Sequence, residues 1–186
     1  VPPTPANFPE IPVLETARLR LRGHTPADLP ACCALWADPQ VTRYIGGRPQ
    51  SAEETWARLL RYSGHWALLG FGYWLVEEKA TGEFVGEVGL ADYRREIHPP
   101  LGAAPEIGWV LSPANQGKGY AAEAIAAVLG WFAQQRFPAN EVVCLIHPEN
   151  LASLRLAAKL GFRELDIRMY KGSPAIVLAW SADGEG

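Results

Sequence analysis

Cysteine is scarce in this 186-residue chain: Cys32, Cys33 and Cys144 are the only three. They form no Cys-x-x-Cys pair, and the four histidines are scattered, so neither a disulfide scaffold nor a zinc-ligand spacing is present. This usage points to a reducing compartment with buried thiols. Long apolar runs are absent as well, and the proline-rich opening has no signal-peptide core, so no membrane span is expected and the cytoplasm is the expected location. Charge of one sign is not in excess. The formal net charge of -3 argues against nucleic acid as the primary ligand and leaves room for a basic substrate.

What the chain does contain is glycine, proline and a hydrophobic fraction of 48%, enough for one domain with a substantial core. No repeat or linker divides it. A single domain over residues 13–181 is expected, preceded by a proline-rich arm (1–12) and followed by a short tail (182–186).

The local signals come in a definite order. Arg18 to Arg22 alternates as a strand with Leu19 and Leu21 inward. Thr25-Pro26-Ala27-Asp28 starts a helix with an apolar face of Leu29, Cys32, Cys33 and Trp36, which Asp38-Pro39 ends. Ser51 and Glu54 have capping-box spacing for a second helix, with Trp56, Leu59, Leu60 and Ser63 on its inner side. Tyr44 to Gly47 reads as a flexible connection between the two. Tyr73–Glu77 and Glu83–Leu90 read as an antiparallel hairpin, followed by a long loop from Asp92 to Ala104. Glu106–Leu111 and Glu141–Ile146 are further strands. Tyr120–Gln135 and Asn150–Leu160 are helices, and Phe162–Tyr170 with Ala175–Trp180 close the chain as a hairpin. The sum is one mixed α/β sheet rather than a doubly wound fold.

The stretch Gln116-Gly117-Lys118-Gly119-Tyr120-Ala121 stands between a strand and a helix. Glycine allows close backbone approach, and the unpaired N–H groups of a first helical turn favour an anion such as a pyrophosphate. Neither a Walker pattern nor a dinucleotide fingerprint fits, because Lys118 precedes Gly119 and the third glycine position is Ala122. A glycine turn that merely caps a core helix is the plainer reading of these six residues.

Gln116, Gly119 and Ala121 resemble the Gln/Arg-x-x-Gly-x-Gly/Ala signature of the GNAT acetyltransferase superfamily. Asn150-Leu151-Ala152-Ser153 followed by Leu160-Gly161-Phe162 is similar to the helix and turn that end that family's cofactor half. Glu15 to Arg22 and Glu106-Ile107-Gly108-Trp109 resemble the branch that includes the ribosomal-protein-acetylating, RimJ/RimL-like enzymes. The resemblance runs from Arg18 to about Trp180. It implies a three-layer α-β-α fold with a splayed, largely antiparallel central sheet. It also implies acetyl-CoA as cofactor, bound by Val110, Leu111, the backbone of Gln116, Gly117, Lys118, Gly119, Tyr120 and Ala121, and by Asn150 and Ser153. The acceptor would be a primary amine that attacks the thioester directly. A protein or peptide N-terminus is favoured, with an aminoglycoside-like amine or a polyamine as rivals. A non-catalytic acyl-CoA-binding module is the reading from another class.

Acetyl transfer needs a deprotonated amine. Glu106, on the strand before the glycine turn and on the face opposite Ile107, Trp109 and Leu111, is the candidate base; a buried carboxylate satisfied by backbone amides is the alternative. Glu87 on the preceding strand is the second candidate. Many GNAT enzymes carry a tyrosine acid where this chain has Ala157, and Ser153 is the nearest replacement. Asn150 would bond the pantetheine arm or simply cap its helix. Cys144 and His147 on alternating positions give no nucleophile–base pair, and His98 in the long loop meets substrate or solvent. Trp56, Trp66, Tyr73 and Trp74 are candidates for an acceptor groove, with ordinary packing as the alternative. The edges of the closing strands admit an isologous dimer.

Overall fold

The computed structural model describes residues 10–135 and 137–183. Strand β1 (Leu14–Glu15) and β2 (Leu19–Arg22) lead through a 3-10 turn (Pro26–Asp28) into helices α1 (Leu29–Trp36), α2 (Pro39–Thr42) and α3 (Ala52–Leu69). Strands β3 (Tyr73–Glu78), β4 (Phe84–Ala91) and β5 (Glu106–Leu111) follow, then α4 (Tyr120–Gln134), β6 (Glu141–Ile146), α5 (Leu151–Lys159), β7 (Arg163–Tyr170) and β8 (Ser173–Ser181). The eight strands form one sheet in the order β1-β2-β3-β4-β5-β6-β8-β7. Every neighbouring pair is antiparallel except β5 and β6.

Alternation along the central strands sorts the side chains to two faces. Trp74, Val76, Val85, Val88, Ile107 and Leu111 meet Ile125, Val128 and Phe132 of α4 in the main core. Leu75 and Val110 point the other way, to Cys32 and Leu59 and to Leu35 and Trp36 of the α1–α3 layer. These are the three layers. Leu19 and Leu21 are fully buried, in keeping with the alternation of β2. No helix among the described residues is long and apolar enough to cross a membrane.

Three local expectations need correction. The inner side of α3 is Thr55, Leu59, Tyr62 and Trp66, whereas Trp56 and Leu60 are 38% and 53% exposed and Ser63 is only half-buried. Thr55 donates its hydroxyl to Ser51 O, which satisfies its polar atom and frees its methyl to face the core. A reading based on side-chain polarity therefore phases the helix about one residue late. The residues after Asp38-Pro39 are a helical turn, α2, with Asp38 Oδ1 accepting from Gln40 N. The third correction concerns the arm. Its end docks on the sheet: Trp74 Nε1 donates to Pro12 O at 2.7 Å, and Ile11 packs against the core.

The entry to α1 is held by charge. Asp28 accepts from the N–H and hydroxyl of Thr25 and from both terminal nitrogens of Arg22, which also reaches Glu77. Burial pushes the Asp28 carboxyl up, but Arg22 and the Thr25 cap outweigh it and lower its pKa to about 2. An unfolded aspartate titrates near 4, so this group's contribution is complete above about pH 4 and disappears as pH falls through about 2. Asp28→Asn is expected to lower stability by about 1–2 kcal/mol at neutral pH, discounted for partial exposure. Thermal melts of both proteins should converge at the acid end of this window; a constant gap would refute the assignment.

Candidate active site

The parallel pair at the middle of the sheet is barely a pair. β4 and β5 match over six positions and β6 and β8 over six, whereas β5 and β6 meet only at Glu106–Val143, with Val143 N donating to Pro105 O. Beyond that point the two strands part, leaving a V with its apex at Glu106 and its open end at Leu111 and Ile146. An unpaired stretch inside a sheet presents polar backbone groups to whatever enters it.

The open end of the V leads into the glycine turn. Gly117 and Gly119 have φ of 76° and 80°, the left-handed region that side-chain-bearing residues avoid, and Gly119 is the N-cap of α4. Backbone N–H groups from Gly117 to Ala121 have no protein acceptor among the described residues. Gln116 stays out of that cradle, donating to Leu111 O, and Lys118 bonds Asn115. Arg18 braces the turn by donating to Lys118 O and pairing with Glu123. Tyr120 is a structural member of the turn: its ring is buried and its hydroxyl is tied to Glu78.

Across the V, Asn150 Oδ1 accepts from Ser153 N, so Asn150 caps α5. Ser153 Oγ accepts from Trp109 Nε1 at 3.3 Å, which links β5 to α5 and leaves the serine O–H free to donate. Ala157, on the inner face of this helix, is fully buried.

At the apex, Glu106 is gripped side-on by Arg95: Nε donates to one carboxylate oxygen at 2.6 Å and Nη2 to the other at 2.7 Å. Arg95 lies 4.7 Å from the ring centroids of both Tyr93 and Tyr170. These residues belong to the Asp92–Ala104 loop and its surroundings, which enclose a cleft of about 480 Å³ whose floor includes Glu106. Glu106 sits across from Ala91, on the same sheet face as Val110 and hence on the α1–α3 side.

Glu87 lies two face-rows away, opposite Val110, and is fully buried. Trp36 Nε1 and the Tyr62 hydroxyl donate to Oε2, and His24 Nε2 lies 3.3 Å from Oε1. Burial pushes its carboxyl up, yet the bonds and charge from His24, with those from Cys32 and Tyr62, bring it below the usual glutamate range. His24, Cys32 and Glu87, far apart in sequence, bring one potential ligand atom each within 4.8 Å of one another. The Cys32 thiol is pushed up by burial and by the Glu87 charge, so it remains a protonated thiol beside that carboxylate. His24 Nδ1 is the one buried side-chain nitrogen or oxygen without a partner among the described residues.

The remaining candidates fall outside the site. Cys144 is core, its thiol pushed up by burial, while His147 stacks on Tyr44. His98 is exposed and does not line the cleft. Trp66 and Trp74 pack edge-to-face in the core under α4, and Trp56 lies beside a separate small hollow near His24, so these three do not form an acceptor groove. Tyr73 does approach the V: its hydroxyl lies 2.1 Å from where a Cβ of Gly108 would be, and only glycine fits there. No sequence signal singled out Arg95, because a paired arginine in a loop looks the same as a solvated one.

The family model of the acetyltransferase (GNAT) domain matches residues 18–163. The chain belongs to the GNAT acetyltransferase family. Its relatives include YkkB of Bacillus subtilis, an uncharacterised protein 33% identical over 153 residues (80% of this chain and 83% of the relative). The N-acetyltransferase YoaA of the same organism is 29% identical over 157 residues, 82% and 84% of the two chains. Among solved structures, a GnaT-family acetyltransferase from Bordetella pertussis superposes with a TM-score of 0.80 at 32% identity, covering 91% of this chain and 99% of that one. Two more distant structures share the fold and contain coenzyme A. One is RimL, a ribosomal L7/L12 α-N-protein acetyltransferase, at TM-score 0.73 and 18% identity, covering 91% and 98% of the two chains. The other is a Vibrio cholerae spermidine N-acetyltransferase at 0.71 and 19%, covering 90% and 98%. The protein is thus an acetyl-CoA-dependent N-acetyltransferase of the GNAT fold.

The left-handed glycines make this turn sensitive to substitution. Replacing Gly119 by Val puts a β-branched side chain at φ 80° and against Arg18. Isothermal titration should show coenzyme A binding weakened by about 10-fold or more, since each lost 1.4 kcal/mol is tenfold. Undiminished affinity would move the phosphate site elsewhere.

Proposed function

We propose that the acceptor is a primary α-amine, presented to the thioester at the apex of the V beside Glu106. The observation that carries this reading is the geometry of the V. The glycine turn, which suits phosphates, lies at its open end, so an extended cofactor running inward brings its acyl end to the apex. The cleft opens there on the α1–α3 face. The amine nitrogen attacks the thioester carbonyl carbon, a C–N bond forms, the C–S bond breaks, and the sulfur leaves as thiolate. Of the two protons the ammonium gives up, one goes to the thiolate and one is passed to Glu106 and solvent. The backbone N–H of Leu111, on the side of β5 turned away from β4 and toward the V, suits the charge that gathers on the carbonyl oxygen. The free O–H of Ser153 suits the sulfur.

An α-amine ionises near pH 8 and a lysine-type amine near 10.4, so the former asks less of a carboxylate base. Both RimL, named for a protein α-amine, and the spermidine enzyme share the fold. The paired charges of this cleft support the α-amine over a polycation. Thiol release from acetyl-CoA, read with a thiol-reactive dye, tests the reaction. Only Cys33 of the protein's own thiols is not buried, so its background is small. Glu106→Gln should slow turnover most below about pH 8 and converge on the parent protein as the amine deprotonates unaided. A uniform loss across pH would remove Glu106 from the base role.

The reading extends to assembly. β7 is the sheet edge and exposes Leu165, Ile167 and Met169, which supports an isologous dimer through that strand. Ile167→Lys should shift the sedimentation coefficient from dimer to monomer; a monomeric parent protein would refute the assembly.

A further inference from the structure

We infer that the acceptor is a small zwitterion, an amine with a carboxylate close by, of the free α-amino acid type. This rests on the proposed placement of acyl transfer at the apex of the V. It starts from the charges in the cleft. Two carboxylates line it, Asp92 and Glu106, and two guanidiniums, Arg94 and Arg95. Each carboxylate is already paired with one of the arginines, Asp92 with Arg94 at 2.8 Å and Glu106 with Arg95 at 2.6 Å, so the four cancel. A polyamine entering this space gains nothing from the carboxylates without placing its other cations against Arg94 and Arg95.

The inner pair is the decisive one. Arg95 and Glu106 are largely buried, with side chains 21% and 12% exposed. Pulling one from the other would leave an uncompensated charge in a poorly hydrated place, which is costly. A simple monoamine leaves such a charge too: with the pair intact, its ammonium makes the pocket net positive. A zwitterion does not. Its ammonium bonds the outer lone pairs of Glu106 while its carboxylate takes the N–H groups of Arg95 that Glu106 leaves free. Arg95 spends Nε and Nη2 on Glu106, and its Nη1 makes no hydrogen bond among the described residues. The rings of Tyr93 and Tyr170, each 4.7 Å from the guanidinium, restrict its movement. The arginine is thus pre-positioned for a second carboxylate, and the ligand adds to an existing pair instead of replacing half of it.

Size points the same way. About 480 Å³ lies in the range of small-molecule sites, and the loop around Pro100 to Ala104 walls one side. A protein N-terminus carries an amide where the free amino acid has a carboxylate, so it leaves the Arg95 donors unmet. Acetylation removes the ammonium charge. The product keeps only its carboxylate bond to Arg95 and loses the one to Glu106, which favours its release.

The test compares acceptors that differ only in the carboxylate. Thiol release and product mass would be followed for the protein amino acids, their methyl esters and amides, short peptides and spermidine. At least one free amino acid should be acetylated with kcat/KM about 10-fold or more above its ester and above spermidine, the usual scale for a lost charge-assisted contact. Arg95→Lys and Arg95→Gln should bring the acid-over-ester ratio of kcat/KM down toward one, with coenzyme A still bound. A thermal melt of each variant reports whether it folds. Equal use of acid and ester, a preference for spermidine or peptides, or silence from every free amino acid while coenzyme A still binds would overturn the zwitterion assignment alone. Failure to bind coenzyme A would instead remove the proposed site.

Discussion

A single buried carboxylate ties one side of the molecule together. Glu87 stands in the middle of β4 with no exposure, and donors from the loop before α1, from α1 itself and from α3 converge on it. A charge in that position is tolerable only while these partners stay in place, since stripping one buried ion of its partners costs about 3–5 kcal/mol. That is a large part of the roughly 5–15 kcal/mol by which a domain is stable. The consequence is positional. Leu75 and Val110, the apolar neighbours of Glu87 in its row, meet Cys32, Leu59 and Trp36 because the polar bonds fix where α1 and α3 lie. Arg58, stacked 3.6 Å over Trp36, closes the cluster from outside.

The other face is organised by apolar packing. α4 lies across β2, β3, β4 and β5 and supplies Ile125, Val128 and Phe132 to the core, while its N-terminus holds the glycine turn at the mouth of the V. The same helix therefore joins the core to the row of unpaired N–H groups. The sheet separates two approaches: the glycine turn lies at the α4 end of the V, and the cleft reaches its apex from the α1–α3 side.

Much of this was legible in the sequence, for identifiable reasons. Strands read well where alternation is strict, as in β2, or where turn residues bound them, as at β5 and β6. Helix starts read well where a cap is chemically marked, as at Ser51, Gly119 and Asn150. Phase within α3 was missed because Thr55 hides its polarity in a bond to its own helix, and Trp56 shows its size at the surface. β1 is two residues long and carries no pattern at all. The role of Glu87 was half visible: a carboxylate in an apolar strand is conspicuous, but its partners at His24, Cys32, Trp36 and Tyr62 are joined to it only by folding. The same holds for Arg95, whose meeting with Glu106 depends on how the long loop returns to β5.

Four of the seven tryptophans give the molecule two separate optical signals. Trp66, Trp74 and Trp131 lie edge-to-face with centroids 4.6 to 5.7 Å apart, close enough for their transitions to couple, so near-ultraviolet dichroism reports whether α3, β3 and α4 are packed together. Trp109 stands apart from them, half-buried on the wall of the V with its N–H on Ser153. Whatever occupies the V changes the surroundings of that indole and leaves the coupled trio alone. Emission from Trp109 and dichroism from the trio therefore distinguish filling of the V from loosening of the core.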